Sequence, residues 1–207
     1  AIKYFKKSAY KMNASSMFKY GTMLYNGEGV EKREKEGIYF IILSADLNDT
    51  DASFFLGKLI IEKKGLKIDQ KESYIITEIA LNQENICSFN KYGGIVKDKK
   101  EIKLTIENGV DYIIYSAERR NYEAMLFYGN LLIKGDIIKM NKNEGIRYIK
   151  KSAFYGNIEA MYQYSKIMLE SNTNNIDIYE IITYLKTSAD QGNADSMFLY
   201  GINLFKG

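Results

Sequence analysis

Along residues 14–26 the apolar side chains Met17, Tyr20, Met23 and Leu24 recur every three or four positions, with polar residues between them. That period puts them on one face of an α-helix. Asn13 stands just before the run as a natural N-cap, because its side-chain oxygen can accept a bond from an orphan amide of the first turn. A second run, roughly 34–47, carries Ile38, Ile41, Ile42 and Ala45 on one side. Between the two lies "NGEGVEKR", where Gly27 and Gly29 break the pattern. Two amphipathic helices joined by a short loop are predicted, and such a pair cannot bury its apolar faces without neighbours.

The neighbours are copies of the same pattern. Tyr20-Gly21 is followed by Leu56-Gly57, Tyr92-Gly93, Tyr128-Gly129, Tyr164-Ser165 and Tyr200-Gly201, every step 36 residues, with no insertion or deletion. Asn13, Asp49, Asn85, Asn121, Asn157 and Asn193 keep the same register, as do Met17, Ser53, Phe89, Met125, Met161 and Met197. A second small-residue block reads Ser8-Ala9, Ser44-Ala45, Ser116-Ala117, Ser152-Ala153 and Ser188-Ala189, with Ala80-Leu81 as its deviant. Several columns in phase establish a repeat, and a period of two helices predicts an all-α, right-handed α-solenoid of stacked helix-turn-helix units. The expected division is a second helix only (1–12), five repeats (13–48, 49–84, 85–120, 121–156, 157–192) and a first helix only (193–207). Both ends fall inside a unit, so the chain is expected to be part of a longer protein.

Glycine inside a helix costs about 0.5–1 kcal/mol relative to alanine. Keeping it at position 21 and its counterparts therefore implies a close approach of two helices, and Gly37, Gly109 and Gly145, with Ser73 in register, form a matching column. The loop pair Gly27 and Gly29 has a different use. A dinucleotide fingerprint needs a strand before the glycines and a third glycine, but here a helix precedes them and the third position is Lys32. A helix C-cap and turn with left-handed backbone at Gly27 or Gly29 is the expectation.

These columns resemble the Sel1-like repeat, a relative of the tetratricopeptide repeat. The stretches that carry the likeness are "SMFKYGTMLYNGEGVEKREKEGIYFIILSA", "EAMLFYGNLLIKGDIIKMNKNEGIRYIKKSAFYGN" and "DIYEIITYLKTSADQGNADSMFLYGINLFKG". It extends over the whole chain, with departures at Asn90, Gly94 and "ICSFN" in the third repeat and at "ESNTNNID" in the fifth. The resemblance implies a protein-binding adaptor: a signalling scaffold, or a substrate-receptor subunit of a membrane-associated ubiquitin ligase. It also implies a partner groove lined by first helices. One row would be Phe18, Phe54, Asn90, Leu126, Tyr162 and Phe198; the next, one turn on, Thr22, Lys58, Gly94, Asn130, Lys166 and Ile202. Aromatic anchors among polar groups suit a peptide or helix of another protein. The equal alternative is that the aromatic row completes packing within the stack.

Composition narrows the chemistry. The chain has no histidine, proline or tryptophan and a single cysteine, Cys87. Without histidine there is no Ser-His-Asp triad, no Cys-His pair and no imidazole metal site, so no catalytic residue, cofactor or metal is assigned. The net charge of +3 is spread through interleaved segments such as "EKREKEG", which argues against a nucleic-acid surface. The lysine cluster at 97, 99, 100 and 103 and the acid pairs Glu34/Glu36 and Asp46/Asp49 read as solvated faces. The longest apolar runs, such as "IYFIIL", are too short to span a bilayer. The cytoplasm is the expected compartment, or the lumen of the endoplasmic reticulum if a signal peptide lies upstream. Two other classes stay open: the regulatory arm of an enzyme such as a kinase encoded outside this region, and a structural component of a large assembly.

Overall fold

A computed structural model describes residues 1–68, 102–171 and 177–206. Among them are ten helices: α1 (Ile2–Ala9), α2 (Ala14–Asn26), α3 (Glu34–Asp46), α4 (Thr50–Glu62), α5 (Ile106–Glu118), α6 (Tyr122–Lys134), α7 (Lys142–Phe154), α8 (Ile158–Glu170), α9 (Ile178–Asp190) and α10 (Ala194–Lys206). They sort into two compact units, Ala1–Arg119 and Arg120–Gly207, each with its own core.

Helix starts follow the cap column. Asn13, Asp49, Asn121, Asn157 and Asn193 each accept the backbone N–H three residues on, at 2.8–2.9 Å. The residue before each cap has a positive φ in every described copy: Met12 (62°), Asn48 (66°), Arg120 (68°), Gly156 (95°) and Gly192 (95°). At Met12, Asn48, Gly156 and Gly192 the chain reverses from a second helix into the next first helix. At the other turn, Gly27 (φ 81°) caps α2, its N–H donating to Met23 O, and Gly29 is also left-handed (φ 70°). "GEG" is a turn, as its context predicts.

First and second helices meet at their glycines. A methyl built on Gly21 would stand 2.9 Å from Gly37 O, and one on Gly37 only 2.6 Å from Gly21 O and Tyr25 N. Gly129 and Gly145 repeat the contact at 2.8 and 2.7 Å. In α8 the glycine is replaced by Ser165, whose hydroxyl donates to Ile181 O at 3.3 Å. The buried serine of the second helix ties the hairpin at its far end: Ser44, Ser116, Ser152 and Ser188 donate to the first-residue carbonyls of α2, α4, α6 and α8 at 2.6–3.0 Å. The alanine beside it is buried in every described copy.

Hairpins α2/α3, α6/α7 and α8/α9 join helices that follow one another in sequence. Hairpin α4/α5 is spaced more widely along the chain. Gly57 meets Gly109, a methyl on the former lying 2.7 Å from the carbonyl of the latter, so the partner of α4 comes one full period further along the chain. Ser73, Ala80-Leu81, Cys87, Asn90, Gly93, Gly94 and the lysines at 97, 99 and 100 lie outside the described residues. The all-α expectation also has one exception here. Strands β1 (Leu66–Ile68) and β2 (Ile102–Leu104) pair antiparallel with Leu66 opposite Leu104, Lys67 opposite Lys103 and Ile68 opposite Ile102. The ladder continues directly from α4 and leads into α5, where Thr105 and Asn108 form a reciprocal capping box.

In the first unit the core centres on α3. Residues 37–45 are buried around the whole helix, as an all-round apolar sequence requires. Phe40 stacks edge-on against Tyr20 and Tyr10, with centroids 5.0 and 5.6 Å apart. The second unit buries Ile149, Ala153, Ala160, Met161 and Tyr164 together.

Candidate protein-binding surface

The residues expected to line a groove fall on first helices in both units. In the first, Phe18 is half-buried and its ring meets Phe55 of α4 edge-on, with centroids 6.0 Å apart. Phe55 in turn meets Tyr25 at 5.6 Å, so aromatic packing joins α2 to α4. Thr22 is half-buried and donates back to Lys19 O at 3.0 Å within its own helix. Phe54 is half-buried, and Lys58 is exposed, 3.8 Å from Glu62. In the second unit Asn130 and Tyr162 are half-buried and Lys166 is exposed, its ammonium 5.9 Å from the Tyr162 ring centre. Phe198 is 72% exposed, beside exposed Met197 on α10. Each aromatic thus stands one helical turn before its partner in the second row. Asn90 lies outside the described residues.

Two of the acidic positions read as solvated have defined structural roles. Asp49 is the cap of α4. Glu34 accepts Lys63 Nζ at 2.7 Å, and this bond chiefly holds its carboxyl below the usual glutamate range. Glu36 pairs with Arg33 at 2.6 Å on the surface.

A cleft that the sequence pattern did not reveal opens between α3 and α5, about 410 Å³ in volume. Asp46, Asn48, Asn108, Asp111, Tyr112 and Tyr115 line it, above a floor that includes Ala45 and Leu104. Tyr112 donates to Asp46 Oδ1 at 3.4 Å and Tyr115 to Asn48 Oδ1 at 2.8 Å. The columns needed to foresee it are present in the sequence, but the neighbour relation of α3 and α5 is not. Among the described residues no group of three acidic, cysteine or histidine side chains is placed to hold a metal ion. No helix among them is long and apolar enough to cross a membrane.

Solved structures with this arrangement include a Sel1 repeat protein from Oxalobacter formigenes. It aligns over 98% of this chain and 48% of its own, with a TM-score of 0.69 and 16% identity. The fold is the Sel1-like repeat fold. A second neighbour is c5321, a protective antigen present in uropathogenic Escherichia coli strains and displaying an SLR fold; it aligns over 99% of this chain and 44% of its own, with a TM-score of 0.50 and 20% identity. The chain therefore spans about half the length of these two structures. No family model and no curated protein matches the sequence. In Sel1-like terms, the glycine columns set the spacing inside a hairpin, and the Ser-Ala and Asn columns set the turn to the next. None of these columns is part of the Phe54/Tyr162 row, whose side chains keep part of their surface in solvent.

Proposed function

We propose that this chain is a non-catalytic scaffold that binds other proteins through the surface of its first helices, as a subunit of a larger complex. The observation that carries this reading is the repeated pairing of a partly exposed aromatic with an exposed lysine one turn later, Phe54 with Lys58 and Tyr162 with Lys166. Such a pair offers an apolar anchor and a charged rim to a peptide. The Sel1-like fold supports it as well, since stacked hairpins generate an extended surface. Absence of histidine from the sequence favours binding over acid–base catalysis. Cytoplasmic placement goes with this reading.

Affinity capture with the folded chain, compared with the Phe54→Ser/Tyr162→Ser variant, tests it. Partners identified by mass spectrometry with the parent chain should be lost with the variant while its helical melt is retained. Partners retained by a folded variant would refute the surface. Unfolding of the variant would assign both rings to the core.

A further inference from the structure

The chain has two Asn-Gly pairs, Asn26-Gly27 and Asn108-Gly109. In such a pair the glycine nitrogen, with no side chain to shield it, can attack the carboxamide carbon of the asparagine before it. The two pairs have opposite surroundings. Asn108 lies in the first turn of α5, and its Oδ1 accepts from Thr105 N at 3.0 Å and from Thr105 Oγ1 at 3.2 Å. Gly109 is buried; its N–H donates to Thr105 O at 3.1 Å, and a methyl on it would lie 3.1 Å from Gly57 O. Reaction there requires both the capping box and the α4/α5 contact to open. Asn26, by contrast, is the exposed last residue of α2. Its Nδ2 donates to Glu28 Oε1 at 2.7 Å, which holds the carboxamide across Gly27. The Gly27 N–H makes the cap bond to Met23 O at 2.9 Å, at the helix end, where fraying costs least.

We propose that Asn26 is a site of spontaneous deamidation from which the fold shields Asn108. Gly27 N bonds to Asn26 Cγ as the Cγ–Nδ2 bond breaks, and the Gly27 amide proton leaves with the nitrogen as ammonia. Water then opens the succinimide at one carbonyl or the other, giving aspartate or isoaspartate, with no oxidation or reduction. Either product puts a carboxylate at the C-terminal end of α2, where the helix dipole disfavours it. It also stands beside Glu28 in place of the donor that Glu28 held. Isoaspartate lengthens the backbone between α2 and the turn as well, so the change loosens the closure of the first hairpin. This site is independent of the first-helix row.

To test it, the folded chain and the same chain in guanidinium chloride are incubated in mildly alkaline buffer, and both asparagines are followed by proteolytic mapping and mass spectrometry. In denaturant the two pairs should convert at similar rates. In the folded chain Asn26 should convert at least tenfold faster than Asn108, and Asn26→Gln should abolish the first acidic species seen by isoelectric focusing. A smaller ratio in the folded chain, an unchanged acidic species in the variant, or no conversion at Asn26 over the time in which the denatured chain converts would overturn the proposal.

Discussion

Gly37 and Gly201 occupy helices of one repeating design yet should respond to alanine with opposite sign. Alanine is favoured over glycine in a helix interior by about 0.5–1 kcal/mol. At Gly201 a Cβ would meet nothing within 4 Å, so Gly201→Ala should gain that amount. At Gly37 the same atom would meet Gly21 O and Tyr25 N at 2.6 Å and Tyr25 Cα at 3.0 Å. All three are backbone atoms of α2, and no rotamer change relieves them. Helices α2 and α3 must separate by several tenths of an ångström, against a core in which Met17, Leu24 and Ile41 are fully buried. Overpacking of this kind costs roughly 1–3 kcal/mol. Less the gain in propensity, Gly37→Ala should lose about 0–2.5 kcal/mol, roughly 1.3 kcal/mol at mid-range. For a chain of this size the mid-range loss corresponds to a fall in Tm of about 3–5 °C. Stacked repeats need not unfold in one step, so the thermal melt should be joined by hydrogen exchange of α2 and α3 amides, where the loss of protection should concentrate. Gly37→Ala at or above parental stability, or a matching destabilisation by Gly201→Ala, would refute the close-packing argument.

Three further substitutions probe other joints of the hairpins. Arg120→Gly should raise stability by about 0.5–1 kcal/mol in urea unfolding, because its φ of 68° is strained for a residue with a Cβ. Ser152→Ala should cost about 1 kcal/mol, since its fully buried hydroxyl donates to Tyr122 O at 2.6 Å; a neutral result would remove the serine column from the account of hairpin closure. Lys63→Met should cost well under 1 kcal/mol near neutral pH, because Lys63 and Glu34 are 41% and 39% exposed. The Glu34 contribution, from a lowered pKa, is present above the ordinary glutamate value of about 4.3 and lost as pH falls through the folded value. The Lys63 contribution, from a pKa raised chiefly by the Glu34 bond, is present below about 10.4 and lost as pH rises through the folded value. Urea melts across pH should therefore show the variant's deficit at neutral pH and its disappearance at both extremes.

What could be read from sequence was whatever periodicity and local chemistry encode. The runs at 14–26 and 34–47 are helices Ala14–Asn26 and Glu34–Asp46, and Asn13 caps the first as expected. The glycine columns do mark close approach, at Gly21/Gly37 and Gly129/Gly145. Periodicity tells which face of a helix is apolar but not which helix covers it, and each unforeseen feature comes from that gap. Phe18 could be placed on a face, but its partner is Phe55, a neighbour of the column rather than a member of it. The Ser-Ala pairs read as small residues, whereas the serine contributes a hydrogen bond to a carbonyl thirty residues earlier in adjacent hairpins. The acid-and-tyrosine cleft needs α3 beside α5, a relation set only once α4 has chosen its partner.

That choice has a physical explanation in what the two helices bury. Leu56, Ile60 and Ile113 are all fully inaccessible in this hairpin, each worth roughly 1.5–3 kcal/mol. The ladder at Leu66 and Leu104 brings the two connections together beside the helix ends. Gly109 supplies what the interface demands, a second helix whose backbone can come within contact of Gly57. The partner of α4 is thus set by matching faces, a glycine on each helix where the backbones touch and three aliphatic side chains shut away from water between them.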